Sequence, residues 1–328
     1  MIDESAERPP SARRPILAPA DAEMIRQVRV LIDEDRFDEA LTAVERMSSR
    51  PQLRWVGRRL IAASRHAERL GFAPAEQTRR ALGTLLADIH SQDRPVPHNE
   101  GGAMIVERAG AEQAVIVFSG NEHVPFAHVI LQSYLRRRPC HSIYVTDRRQ
   151  LFGVGGLPGL GADFPESVRS LRAVCDRLGA KRRFCFGFSG NGYAAMRHAV
   201  ELDADGVLAF SPPTRLDLEP EKVAAVEMIR RLHDHVPHMA EDLKRIYLES
   251  RRLPATTIVY GAASNSDTRY ALRMRSVPNV RLIPIPGFAN HDSLSVSIVS
   301  GKLAGMLDLM LAGRAVDHAP VAGDGAAN

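Results

Sequence analysis

Cysteine is scarce in this 328-residue sequence: Cys140, Cys175 and Cys185 are the only three, and no two of them have Cys-x-x-Cys spacing. Set in strand and helix patterns, they read as small hydrophobes, and a reducing cytoplasm is the expected compartment. No apolar run reaches membrane-spanning length, and the N-terminus lacks the charged-then-apolar order of a secretion signal, so neither a span nor a leader is expected. Charge of one sign is also missing. Forty-three Lys and Arg stand against 39 Asp and Glu, a net charge of +4, and the basic residues are mainly arginines matched by nearby acids, so no nucleic-acid partner is expected. With 45% hydrophobic and 25% charged residues, the chain can bury a large core and still carry a smaller second domain.

What is present is Gly187-Phe188-Ser189-Gly190-Asn191-Gly192-Tyr193-Ala194-Ala195-Met196, directly after the apolar run Phe184-Cys185-Phe186. An apolar strand, a serine among small residues and an alanine-rich helix form the sequence pattern of a nucleophile elbow, the tight turn that lifts a serine hydroxyl out of a sheet. Small neighbours are needed because the turn is strained and brings backbone segments together. The helix opening at Gly190 aims free N–H groups at developing negative charge. The usual pattern has glycine two residues after the serine; here Asn191 stands there and glycine follows at Gly192. Asparagine tolerates unusual backbone angles, so the turn is expected to survive with slightly shifted geometry. The competing reading is an ordinary turn of a doubly wound domain, which also favours Gly and Ser.

Partners for Ser189 occur downstream. The β-rich run Ala255-Thr256-Thr257-Ile258-Val259-Tyr260-Gly261 leads into a polar loop containing Asp267, and a second strand pattern, Val280 to Gly287, leads into Phe288-Ala289-Asn290-His291-Asp292. Ser189, Asp267 and His291 are therefore the candidate catalytic residues: imidazole takes the serine proton near neutral pH, and a carboxylate fixes its tautomer. Asp267 could instead cap a helix over residues 268–275, and Asp292 is the alternative acid. Upstream, Gln113 to Gly120 reads as a strand entering a small-residue turn. That assigns Gly120 or Asn121, with Gly190, to an oxyanion hole.

The succession Val117-Phe118-Ser119-Gly120, Tyr144-Val145-Thr146-Asp147, Phe164-Pro165-Glu166-Ser167, the serine turn, and Leu208-Ala209-Phe210-Ser211-Pro212 resembles the α/β-hydrolase superfamily. Within it, the chain is similar to a bacterial branch whose catalytic domains sometimes follow helical repeats and sit among surface-glycan genes. The resemblance covers roughly residues 101–313. It implies esterase, thioesterase, peptidase or acyltransferase activity and no dissociable cofactor, and it identifies no substrate; the expected partner is a small-molecule or glycan-linked acyl substrate.

The fold class expected is α/β: a mainly parallel, doubly wound sheet of α/β-hydrolase type, with a small all-helical domain before it. The boundaries read as a flexible tail at 1–19, a helical domain at 20–92, a linker at 93–102, the hydrolase domain at 103–313 and a second tail at 314–328. A largely helical insertion at about 212–253 lies where such enzymes carry a cap. Four apolar stripes predict four helices in the first domain, the third of them formed by Leu53, Val56, Leu60, Ala63, Ala67 and Leu70.

Asp35 to Leu41 resembles part of a tetratricopeptide unit, though no repeat follows. Residues 20–45 hold eight acids and three bases, and residues 46–80 nine bases and two acids. This segregation could recruit a protein partner or a glycan, although a solvated arginine face also explains it.

Three features read as non-catalytic. The glycine-rich stretch Gly153 to Gly161 has no phosphate-binding ending and is expected to be a mobile loop. His233, His235 and His238 do not share a helix face, so no metal site is expected. Asp147, at a strand end, could touch substrate or bond its own loop. The expected function is a serine hydrolase acting on an ester, thioester or amide. The alternatives are acyl transfer to a sugar hydroxyl and a non-catalytic scaffold on a degenerate hydrolase domain.

Overall fold

Apolar runs that lie in the middle of a parallel sheet must be covered on both faces, and the long runs of this sequence are. The computed structural model describes residues 51–71, 98–100, 102–120, 130–216, 223–239 and 241–313, with residue 76 and scattered positions between 23 and 43. Eight strands lie side by side: β1 (His98–Glu100), β2 (Ala103–Val106), β3 (Gln113–Gly120), β4 (His141–Asp147), β5 (Arg182–Phe188), β6 (Gly206–Phe210), β7 (Ala255–Gly261) and β8 (Val280–Ile285). Their spatial order is β1-β2-β4-β3-β5-β6-β7-β8. β2 runs antiparallel to β1 and β4, and the other pairs are parallel. This is the mainly parallel sheet that the alternating strand and helix patterns predicted.

Helices cover both faces: α1 (Pro51–Arg69), α2 (Gln132–Leu135), α3 (Phe164–Arg177), α4 (Gly190–Glu201), α5 (Val223–His235), α6 (Leu243–Glu249), α7 (Asn265–Arg273), α8 (Ser293–Val299) and α9 (Lys302–Leu311). The period of two along each strand sorts side chains between the faces. Val115, Val117, Phe184 and Phe186 join one apolar layer with Leu60 of α1, Ile298 of α8 and Leu307 of α9. Ala114, Ile116 and Cys185 join the other with Leu171 of α3, Ala195 of α4 and Ala271 of α7. Among the described residues, no single helix is long and apolar enough to cross a membrane.

Several expectations changed. Residues 98–100, assigned to a linker, form the edge strand β1, paired with β2 through a tight turn at Gly102 (φ 85°). Short polar edge strands carry no apolar alternation to reveal them. Most of the region read as a separate helical domain, and both tails, lie outside the described residues. Its bounded helix, α1, buries Leu60, Ala63 and Ala67 in the same apolar layer as the sheet and packs on α8.

The glycine-rich loop is anchored rather than mobile. Residues 151–157 are buried, Asp147 accepts hydrogen bonds from the N–H groups of Gly153 (2.8 Å) and Arg149 (3.1 Å), and the Leu157 N–H donates to Ser167 Oγ (2.8 Å). A Cβ on Gly156 or Gly161 would stand 2.5 Å from neighbouring backbone, so these glycines permit close packing. Asp147 thus serves its own loop, and burial pushes its pKa up.

His198 of α4 is fully buried between the rings of Phe118 (4.6 Å) and Phe164 (4.7 Å), and its Nδ1–H donates to Ala194 O at 2.9 Å. Burial pushes its pKa down to about 3 from 6.5. The fold holds it neutral while the unfolded chain protonates it below pH 6.5, so stability is complete above that value and falls as pH drops towards 3. The expected slope from this group is about 1.4 kcal/mol per pH unit. Urea midpoints measured between pH 7 and pH 4.5 should therefore fall more steeply in the wild type than in His198→Leu. Equal slopes would assign the acid sensitivity elsewhere.

Candidate active site

β5 ends at Phe188, and the chain turns into α4 through Ser189, whose backbone (φ 56°, ψ −130°) lies in a region that non-glycine residues rarely occupy. Such a conformation costs of order 1–3 kcal/mol and persists only where the surroundings enforce it. Here the Ser189 N–H donates to Phe210 O (2.8 Å), and the Ser189 carbonyl accepts from Gly192 (2.8 Å) and Tyr193 (3.2 Å). A Cβ on Gly187 would stand 2.1 Å from the Asn191 carbonyl oxygen, and one on Gly192 would stand 3.0 Å from Pro212 Cβ. Close approaches therefore fall at 187, 190 and 192, all three glycine. Asn191 instead occupies a half-buried position lining an adjacent cavity, which is why the turn forms without glycine there.

His291 follows β8 and Asp267 follows β7. Ser189 Oγ lies 2.7 Å from His291 Nε2, and His291 Nδ1 lies 2.8 Å from Asp267 Oδ1. A carboxylate can only accept, so Nδ1 carries the ring proton and Nε2 is left to accept from the serine hydroxyl. Asp267 is 3% exposed, and among the described residues its Oδ2 has no hydrogen-bond partner. Asp267 is not the helix cap: Ser264 caps α7, accepting from the Asp267 N–H at 3.4 Å. The carboxylate is thereby left to face the imidazole.

Asp292, the alternative acid, points elsewhere. It caps α8, accepting from the Ser295 N–H (3.1 Å), and pairs with Arg59 of α1 through both oxygens, each at 2.5 Å. Arg59 is the residue that sequence reasoning missed. It belongs to the basic run at 46–80 that a solvated face would explain, yet its side chain is only 12% exposed.

Gly190 opens α4 beside the serine, and the first N–H groups of a helix lack intrahelical partners. Gly120 ends β3 on the same sheet edge, opposite Asp147, while Asn121 lies outside the described residues. A Cβ on Gly190 would meet Phe152 at 3.0 Å and Met228 of α5 at 3.8 Å, so the helical insertion after β6 reaches over the turn. An apolar cavity of about 20 Å³ lies beside the serine turn, reached by Phe188 and Asn191 and lined also by Val117, Ile130, Phe186, Leu294 and Ile298, with Arg59 and Ser119 on its wall. His233 bonds the Leu216 carbonyl (3.3 Å), while His235 and His238 are exposed.

No protein-family model and no curated protein sequence matches this chain. Solved structures with a similar arrangement include an esterase from Pyrobaculum calidifontis (13% identity, covering 72% of this chain and 91% of that one, TM-score 0.49). An esterase of the bacterial hormone-sensitive lipase family gives 13% identity over 77% and 97%, TM-score 0.49. The capsule O-acetyltransferase of Neisseria meningitidis serogroup A gives 11% over 65% and 94%, TM-score 0.47.

Proposed function

We propose that this protein is a serine hydrolase that cleaves an ester, thioester or amide through an acyl-Ser189 intermediate. The supporting observation is the hydrogen-bonded chain from Ser189 Oγ to His291 to Asp267, built on a strained turn at the edge of the sheet. In the first step Ser189 Oγ attacks the acyl carbon while its proton passes to His291 Nε2. The imidazolium then gives that proton to the leaving group as the carbonyl reforms. Water repeats the sequence, releasing the acid and free Ser189. Asp267 stabilises the imidazolium, and the Gly190 N–H, with that of Gly120 or Asn121, would receive the oxyanion.

The cavity beside the serine turn, at about 20 Å³, has room for about one water-sized group, so any acyl chain entering it would be the shortest. The cysteines Cys140, Cys175 and Cys185 are free and buried, and burial pushes the Cys140 and Cys175 thiols up to about 11. Inert thiols fit a reducing compartment, and we place the enzyme in the cytoplasm.

A fluorophosphonate probe tests this reading, because it phosphonylates an activated serine and expels fluoride. Wild type should gain the phosphonyl mass at Ser189, and Ser189→Ala should gain none. Absence of labelling in folded wild type would instead favour a scaffold role.

A further inference from the structure

We infer that Arg59 is a positioning residue for His291, and that helix α1 is thereby a working part of the active site. This rests on the acyl-serine reading above.

His291 sits on the loop between β8 and α8, and loops hold a side chain accurately only when something fixes them. α1 and Leu70, the residue after it, meet this loop at three successive points. At its start, a Cβ on Gly287 (φ 67°) would meet Leu70 at 3.3 Å. In its middle, the Phe288 ring takes the His66 ring edge-on, 5.2 Å between centroids at 86°. At its end, Asp292 receives the Arg59 guanidinium in a two-pronged pair, Nε to Oδ2 and Nη2 to Oδ1, both 2.5 Å.

Arg59 also reaches the other side of the site. Its guanidinium carbon lies 4.8 Å from the centre of the Phe188 ring, and that ring lies 5.3 Å from the imidazole of His291. Phe188 is the residue before the nucleophile. One side chain therefore touches both the turn that carries Ser189 and the loop that carries His291, and sets the span between them. A planar fork that bonds a carboxylate with its edge while stacking on a ring with its face suits arginine and not lysine.

Arg59 is not a receptor for an anionic substrate, because Asp292 already holds its charge. The charged and titratable groups that these contacts place at His291 and its loop are the Asp267 carboxylate, the Ser189 hydroxyl, the Asp292–Arg59 pair that begins at the next residue, and His66 of α1, which lies on Phe288. Breaking this pair in opposite senses leaves opposite charges beside the imidazole. Arg59→Ala leaves an unneutralised carboxylate, which favours the imidazolium and raises the pH of the acidic limb. Asp292→Asn leaves an unneutralised guanidinium, which lowers it. Asparagine remains a good helix cap, so Asp292→Asn removes the ion pair without unwinding α8.

The experiment measures fluorophosphonate labelling rates and p-nitrophenyl acetate turnover against pH for wild type, Arg59→Ala, Arg59→Lys, Asp292→Asn and the Arg59→Ala/Asp292→Asn double variant. Arg59→Ala should lower the labelling rate and kcat about 10- to 100-fold, the scale of a small misplacement of reacting groups, with little change in KM. Arg59→Lys should recover part of the loss, and the double variant should be no slower than the worse single one. The acidic limbs of the two single variants should move apart, which a contact that merely stabilises the fold would not cause. If Arg59→Ala fails to fold, Asp292→Asn alone carries the rate and pH readouts. Wild-type rates and an unmoved limb in the folded variants would overturn the positioning role alone. A wild type that neither labels nor turns over would overturn the acyl-serine reading with it.

Discussion

Ser189→Ala is expected to lower kcat on an activated ester by about 10⁶-fold, with substrate binding nearly unchanged. The reaction proposed here has one covalent bond to the protein, and Ser189 Oγ makes it. It lies on the strained turn within hydrogen-bonding reach (2.7 Å) of His291 Nε2. Without it, water must attack unaided by a positioned nucleophile, and catalysis falls to what the N–H groups at the start of α4 can supply. Removing the hydroxyl deletes no packing atom from either apolar layer, so the variant should keep the wild-type melting temperature. Steady-state turnover and a thermal melt on the same sample check both halves. A Ser189→Ala protein within tenfold of wild-type turnover would place the chemistry on another residue.

The second large effect is expected at the acid. Asp267→Asn should lower kcat by about 10⁴-fold, because the amide can offer an N–H to Nδ1 and thereby select the tautomer that carries its proton on Nε2, where it blocks acceptance from the serine. The side chain is 3% exposed, so no solvent carboxylate can take its place. Asp292→Asn provides the contrast. Its carboxylate is occupied by Arg59 and the cap of α8, so its loss should cost at most about 100-fold. Turnover of the two variants side by side decides which carboxylate orients the imidazole. A larger loss at 292 than at 267 would reverse the assignment.

Much of this architecture could be read in advance because it follows from local pattern. The strand patterns at 113–120, 255–261 and 280–287 became strands within two residues of their expected ends, since their apolar residues are buried by a sheet covered on both faces. The serine turn was legible from its small residues. The physical basis, a non-glycine φ of 56° and a 2.1 Å approach at Gly187, is what makes small residues obligatory there. Asp147 and the loop at 151–157 were less legible. Glycine can mean freedom or close packing, and sequence does not distinguish a loop that moves from one whose backbone is pressed against a neighbour.

By itself, the sequence determined most of the order of strands and helices, the serine turn and the two downstream loops that carry an acid and a histidine, because each depends on residues close together in the chain. Only the tertiary structure decided that Asp267 rather than Asp292 faces the imidazole. It also decided that α1 lies against the histidine loop and that Arg59 is held between Asp292 and Phe188. Those are relations between segments up to 233 positions apart. They are set by how layers stack across the sheet, and no local periodicity encodes them.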